Sequence, residues 1–496
     1  MEVPQCRPSF PFGEGDVFLM TTPQTQIPLC VDLDGTLIRT DTLWESCFAL
    51  LRLHFAYVFL LPFWLIRGKA FLKNEIARRV DLRVDSLPYH QELLSFLRTE
   101  HEKGRKLILA TASNVKFARA IADHVGLFEK EIFSSDAKTN LKSDAKLTVL
   151  LEKYGTHGFD YAANSHADLG IWAHARHAII VNASPRLIHR AQELATVTQV
   201  FRDRQHVALL VLKEARLYQW AKNALVFVPL IASHQIAQPS LFSATLLAFL
   251  AFGFCASSAY VLNDCLDLEA DRQHPQKKKR PMASGALPIS LGLVLVLGCL
   301  VAISICAVFL PLPFAFVLCL YLTLTLGYSF YLKRVVVVDV ILLALLYIVR
   351  IYGGGMAINV VPSHWLLIFS LFMFLSLAIM KRFAELQCLK LTGEQEMARR
   401  GYWTTDLEHL GSVGSTSGYI SVLVLALYIN SNEVLPLYSR PEILWLLCPL
   451  LLYWISRAWL LAYRQRMDQD PVIFAVLDKK SYIIALLMCI ILFLAK

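Results

Sequence analysis

The sequence predicts a multidomain protein: an N-terminal α/β, Rossmann-like half, then a C-terminal all-α polytopic membrane bundle of about nine transmembrane helices. Three features predict this. Hydrophobic residues make up 56% of the chain. After about residue 205 they gather into repeated apolar runs of about 17–22 residues, the length that crosses a bilayer core. Before that point the apolar runs are short and alternate with helical patterns, as in a parallel sheet with crossover helices. Where one long run ends, Asn263, Asp264, Asp267 and Asp271 follow in quick succession, so chemistry is expected at a membrane boundary.

In chain order, residues 1–27 are an extension without the charged and apolar regions of a signal peptide, and no cleaved leader is expected there. Residues 28–34 form an apolar strand that ends in carboxylates and runs into Gly35-Thr36-Leu37. Further strands are expected at 106–111, 160–164 and 177–182, which places Asp32, Thr111 and Asn164 at strand carboxyl ends, where parallel sheets gather their chemistry. The apolar, aromatic stretch 53–66 contains Pro62 and precedes Arg67, Lys69 and Lys73. It is too short to span comfortably and is expected in a helical cap near 44–80. That cap either lies on a membrane surface with its bases at the lipid headgroups or is buried against its own domain. Residues 201–221 are expected to link the halves, 28–200 and 222–496.

Spans are expected near 222–237, 241–263, 288–308, 311–332, 336–355, 364–382, 415–430, 441–463 and 479–495. Alternate loops are basic: Arg272 with Lys277, Lys278, Lys279 and Arg280; Lys333 with Arg334; Lys381 with Arg382 and Lys390; and Arg464 with Arg466, Lys479 and Lys480. Arg440 is the main exception. Positive loops face the cytoplasm, so the N-terminal half and the acidic segment are expected on that side of the cell (inner or plasma) membrane. The net charge of +9 then reflects topology, lipid contact and anionic substrates rather than nucleic acid. The eleven cysteines are scattered and suggest neither a zinc site nor a disulfide framework. No inverted repeat favours a transporter.

On a helix, Asn263, Asp267 and Asp271 share a face with Asp264 beside it. Carboxylates so placed repel one another unless a cation sits among them, and hard oxygen donors suit Mg²⁺ carried on a phosphorylated substrate. A polar helix end facing water is the bland alternative.

Val31-Asp32-Leu33-Asp34-Gly35-Thr36-Leu37 resembles the first motif of the haloacid-dehalogenase-type phosphatases, a resemblance that covers roughly residues 28–200. It implies that Asp32 is the nucleophile for a phosphoryl group and Asp34 the acid/base for the leaving group. One carboxylate must be ionised to attack and the other must hand over a proton. By the same resemblance Thr111 binds phosphate, Lys146 offsets the charge on nucleophile and phosphate, and Mg²⁺ is held among Asp32, Asp34, Asn164 and Asp168. The family's fourth motif, Gly-Asp-x-x-x-Asp, reads here Ala163-Asn164-Ser165-His166-Ala167-Asp168. Asn164 therefore offers an oxygen without a charge. A working phosphatase and a degenerate domain kept for docking or regulation both stand, with Asp32 and Asp34 favouring the first.

The segment from Asn263 to Asp271 resembles the first acid-rich motif of the UbiA-type prenyltransferase superfamily, and the resemblance covers about residues 210–496. It implies a helical bundle around a polar cavity. Branches that prenylate aromatic rings carry a second motif, Asp-x-x-x-Asp, but here Asp339 is followed by Leu343. Lys333, Arg350, Lys381, Arg382 and Glu385 lie nearby in sequence, and bases in place of an acid suit a phosphate gripped directly. With Gln219-Trp220-Ala-Lys222-Asn223, Arg272-Gln-His274-Pro275 and Arg280-Pro281, these residues look like the decaprenyl-phosphate phosphoribosyltransferase branch. Leu217, where a proline is expected, is one departure.

That resemblance implies Mg²⁺-dependent transfer of 5-phosphoribosyl from phosphoribosyl diphosphate to a polyprenyl phosphate. Asn263, Asp264, Asp267 and Asp271 would hold the metal, with Asp264 and Asp267 central to catalysis. Lys222, Lys333, Asp339, Arg350, Lys381 and Arg382 would bind substrate. The fused phosphatase would then remove the 5-phosphate from the lipid product. The alternative is an aromatic prenyltransferase with a regulatory phosphatase-like domain.

Overall fold

The computed structural model describes residues 27–137, 139–203, 206–391, 393, 395–397, 400–432, 434, 436–467, 471, 474–475 and 478–496. The extension expected over 1–27 lies, apart from Ile27, outside the described residues. The first part of the chain runs β1 (Leu29–Val31), α1 (Thr42–Leu53), α2 (Tyr57–Ile66), α3 (Lys69–Ala77), α4 (Gln91–Glu102), β2 (Leu107–Asn114), α5 (Val115–Val125), β3 (Ile132–Ser135), α6 (Asp144–Tyr154), β4 (Asp160–Ala163), α7 (Leu169–His174), β5 (Ala178–Val181), α8 (Pro185–Leu194) and β6 (Val197–Phe201). The second part is helical: α9 (Val207–Glu214), α10 (Val228–Ala232), α11 (Pro239–Leu266), α12 (Leu268–Gln273), α13 (Ile289–Val308), α14 (Leu312–Phe330), α15 (Val338–Ala357), α16 (His364–Leu391), α17 (Leu407–Ile429), α18 (Leu447–Tyr463) and α19 (Lys479–Ala495).

These elements form two compact units that do not follow chain order. One holds residues up to Ile38 with 64–77 and 89–203, and the other holds 39–63, 78–88 and everything from Arg204 on.

The first unit is built on a six-stranded sheet in the order β3-β2-β1-β4-β5-β6, parallel at every pairing. The order reverses between β1 and β4, the place where open α/β sheets bind ligands. Alternate residues point to one face, so Cys30, Ile108, Ala110, Tyr161, Ala163 and Ile180 pack with Leu150, Trp172 and Leu187 of the covering helices. The expected strands at 28–34, 106–111, 160–164 and 177–182 are β1, β2, β4 and β5. β3 and β6 went unread because they are edge strands, only partly buried, and lack a continuous apolar run.

In the second unit, seven helices among the described residues are long and apolar enough to cross a membrane: α11, α13, α14, α15, α16 and the stretches Thr404–Ile429 and Pro441–Tyr463. Two of the nine expected spans are not among these seven. Residues 222–237 hold a 3₁₀ stretch, Leu217–Phe227, and the five-residue α10. Pro229 explains the break, because its ring lacks an N–H and clashes with the preceding turn, so a proline starts a helix instead of continuing one. The last expected span, 479–495, is α19, helical over the same 17 residues; at 1.5 Å per residue that is roughly 26 Å, the lower end of the length that crosses a hydrocarbon core.

Close backbone approach sets where the 3₁₀ stretch lies. A Cβ on Gly354 of α15 would sit 2.1 Å from the Val226 carbonyl oxygen, so only glycine lets these two segments touch. This contact fixes Lys222 and Asn223 beside Arg350 of the same helix. Gly354→Ala is expected to overpack this seam by about 1–3 kcal/mol, seen as a lower thermal unfolding midpoint in detergent.

Candidate functional sites in the two units

The first unit gathers its polar residues at the reversal point of the sheet. Asp32 follows β1 and Asn164 follows β4, and Asp32 N donates to Ala162 O at 2.9 Å. Gly35 has φ +75°, and a Cβ there would lie 2.1 Å from Asn164 Nδ2. The loop after β1 therefore needs glycine both for its turn and for Asn164 to close over it. Lys146 Nζ, from α6, donates to Asp32 Oδ1 at 2.7 Å and to the Tyr161 hydroxyl at 2.9 Å. Tyr161 in turn donates to Asp168 Oδ1 at 3.2 Å, and Ser165 Oγ donates to Asp168 Oδ2 at 2.6 Å.

Burial alone would depress the Lys146 ammonium, but the charges of Asp32 and Asp168 outweigh it and hold its pKa above the ordinary value. The Asp168 carboxyl is pushed up, first by burial and then by Asp32. Asp34 accepts from Ser113 Oγ, whereas Thr111 is fully buried and its hydroxyl accepts from Ser113 N at 3.0 Å. Two of these participants, Tyr161 and Ser113, were not singled out from sequence. The one available signal was a tyrosine in an otherwise small and apolar strand, three residues before Asn164.

The second unit encloses a cavity of about 830 Å³. Asn263, Asp267 and Asp271 line one side, held by backbone hydrogen bonds from Asp267 N to Asn263 O and from Asp271 N to Asp267 O, at 2.9 and 2.8 Å. They share a face, as the spacing predicts, although Asp267 is the joint between α11 and α12. Lys222, Lys333, Arg350, Lys381 and Arg400 line the same cavity, together with Tyr321, Tyr328 and Tyr347. Lys333 Nζ donates to Asp267 Oδ2 at 2.8 Å and to Asn263 Oδ1 at 3.1 Å. Arg350 is aimed by Asn223 Oδ1 at 2.9 Å, Leu346 O at 2.6 Å and the Tyr321 hydroxyl at 2.6 Å.

Three expected site residues stand behind the wall rather than on it. Asp264 is 2% exposed and lies under Arg216, which donates at 2.7 Å, and Arg280, which donates at 3.0 Å. Arg280 also pairs with Asp271. Asp339 and Arg382 are fully buried and bonded to each other at 2.5 Å. Asp339 also accepts from the Tyr402 hydroxyl at 2.6 Å, and Arg382 also donates to Glu385 at 2.6 Å and Tyr328 at 2.9 Å. With each of its three nitrogens bonded, Arg382 holds Glu385 and Tyr328, which do line the cavity.

Sequence reasoning overlooked Arg216, whose backbone is held in the left-handed region at φ +51°, and Glu214. Glu214 is 1% exposed, and among the described residues neither of its oxygens accepts a hydrogen bond. Burial, then the neighbouring Asp264 charge, push its carboxyl up to about 8. Burial likewise raises Asp271, against the pull of Arg280.

Among the described residues, no three histidine, cysteine or acidic side chains converge closely enough to hold a metal unaided. Lys333 and Arg280 are the cations beside the acids. The donor chemistry still fits Mg²⁺, which takes one or two protein carboxylates and completes its shell with substrate phosphate oxygens and water.

Residues 225–489 match the model of the UbiA prenyltransferase family. The uncharacterised protein y4nM of Sinorhizobium fredii is 35% identical over 471 residues, covering 93% of this chain and 90% of that one. The nodulation protein NoeC of Azorhizobium caulinodans is 34% identical over 271 residues, 54% of this chain and 87% of its own. A decaprenyl-phosphate phosphoribosyltransferase of Mycobacterium tuberculosis is 32% identical over 214 residues, 42% of this chain and 70% of its own.

Asp339→Ala strands Arg382 in the interior and is expected to cost about 3–5 kcal/mol. Chemical unfolding in detergent, compared with a variant of an exposed aspartate such as Asp123→Ala, measures it.

Proposed function

Because this chain belongs to the UbiA prenyltransferase family and is a multi-pass membrane enzyme of that type, we propose that it transfers 5-phosphoribosyl from phosphoribosyl diphosphate to a polyprenyl phosphate. One observation carries the reading. With Asn263, Asp267 and Asp271 the cavity presents cations and tyrosines, and Asp339, the carboxylate expected in a second acidic motif, is sealed against Arg382. Such a wall suits two anionic substrates. The similarity to a decaprenyl-phosphate phosphoribosyltransferase points the same way.

In this reading the bond between ribose C1 and the diphosphate oxygen breaks while a lipid phosphate oxygen bonds to C1, and inorganic diphosphate leaves. The lipid phosphate is already ionised, so no general base is required. Mg²⁺ bound at Asn263, Asp267 and Asp271 would neutralise the leaving group. Lys333 sits within reach of the same oxygens, and Arg350, Lys222 and Lys381 orient the phosphates. The cavity would open to the cytoplasm, with the first unit on that side of the cell membrane.

The first unit would remove the 5-phosphate of the lipid product. Asp32 would attack phosphorus, Lys146 would balance the charge, Asp34 would protonate the leaving oxygen, and water would release phosphate from Asp32. The uncharacterised relative in Sinorhizobium fredii covers 93% of this chain, so the two halves occur together there as well, and a phosphatase joined to the transferase would be fed at high effective concentration.

Purified protein with Mg²⁺, labelled phosphoribosyl diphosphate and polyprenyl phosphate is expected to move label into lipid. Asp267→Ala should reduce that transfer at least about a hundredfold. Turnover of a prenyl diphosphate with an aromatic acceptor instead would overturn the reading. Asp32→Asn is expected to leave transfer intact and stop at the phosphorylated lipid, resolved by thin-layer chromatography. Identical products from wild type and Asp32→Asn would exclude the coupled phosphatase.

A further inference from the structure

The acid-bearing helix α12 cannot hold its own position. It has six residues, Leu-Glu-Ala-Asp-Arg-Gln, far fewer than an isolated helix needs in water, and it carries Asp271 beside Asp267 and Asp264, whose like charges repel. Its periodicity gives it two working faces. Asp267 and Asp271 face the cavity, while Glu269 and Arg272, three residues apart, face the other way.

That second face is met by the segment 39–63, which lies in sequence just after the β1 loop yet belongs to the second unit. Glu45 of α1 accepts from both terminal nitrogens of Arg272, at 3.1 and 2.5 Å, with side-chain exposures of 7% for Arg272 and 6% for Glu45. Thr40 Oγ1 donates to Glu45 at 2.7 Å and sets its orientation. The remaining donor of Arg272, Nε, bonds Ala283 O at 2.9 Å, tying in the loop that carries Arg280, the partner of Asp264 and Asp271. Two turns further along α1, Arg52 pairs with Glu269 at 2.7 Å. Phe48, on the same face between them, packs in a cluster with Cys265, Leu266, Leu268 and Met282.

We infer that Glu45 is a positioning residue of the transferase: through Arg272 it fixes α12 and the Arg280 loop, so that Asp267 and Asp271 point into the cavity. The segment 39–63 is then a structural part of the transferase site, contributed from within the N-terminal half of the sequence. The inference rests on the acid-rich site proposed above for its catalytic meaning, but the strut itself does not depend on the substrate.

The test uses the full-length protein with Glu45→Gln, which keeps shape and removes charge. Glu45→Gln is expected to raise the KM for phosphoribosyl diphosphate and the Mg²⁺ half-saturation about tenfold to a hundredfold, the scale of a misplaced site. The KM for polyprenyl phosphate should stay put. Amide hydrogen exchange over 264–287 should quicken. Thr40→Ala, which removes only the orienting hydroxyl, should give the same pattern at smaller size and guards against a misfolded Glu45→Gln. Glu45→Asp should restore part of the loss. If both variants leave exchange over 264–287 unchanged, the inference is overturned, whatever the substrate proves to be. If wild-type protein transfers prenyl rather than phosphoribosyl groups, the proposed function falls. The strut is then supported by slower donor binding in Glu45→Gln measured with the prenyl diphosphate, and overturned by unchanged binding.

Discussion

Asp264 is buried between two arginines, and the polar end of the helical unit is organised by the need to compensate that carboxylate. A charge removed from water must be paired and hydrogen-bonded or it shifts its protonation. Arg216 and Arg280 meet this need from opposite sides in sequence, one before α11 and one after α12. Arg216 accepts a left-handed backbone to do so, a conformation that costs an L-residue energy. Arg280 reaches Asp271 as well, so the ion pairs that satisfy Asp264 also fix a cavity-facing acid. Glu214 is buried beside the same carboxylate, whose charge adds to burial in raising its carboxyl.

The same logic recurs around Arg382. Its guanidinium is fully buried and bonded to Asp339, Glu385 and Tyr328, with Tyr402 completing Asp339. These residues come from α14, α15, α16 and the loop before α17, so one buried charge ties four parts of the bundle together. The wall of the cavity is thereby set by groups that do not touch its contents. Mutual satisfaction of this kind makes a polar network rigid, because each member left unpaired would bear its full desolvation cost.

In the first unit the charge balance is smaller and tighter. Lys146, Asp32, Tyr161 and Asp168 form a chain of contacts at the reversal of the sheet, and Asn164 closes over Gly35. Asn164 itself adds an amide and no charge to this cluster.

Much of this was legible in the sequence. The strands β1, β2, β4 and β5, seven of the nine expected spans and the shared face of Asn263, Asp267 and Asp271 follow from period and length. These are properties of neighbouring residues, so a linear reading finds them. The edge strands β3 and β6 and the interrupted stretch around Pro229 were hidden because partial burial and a single ring decide them. Only tertiary structure showed that Asp264, Asp339 and Arg382 stand behind the cavity wall, that Arg216 and Glu214 lie against Asp264 and Tyr161 between Lys146 and Asp168, and that Glu45 bonds Arg272. A charge reads the same in sequence whether it faces a substrate or a buried partner. Which it does depends on what the fold brings within about 3 Å, and those partners lie far away along the chain.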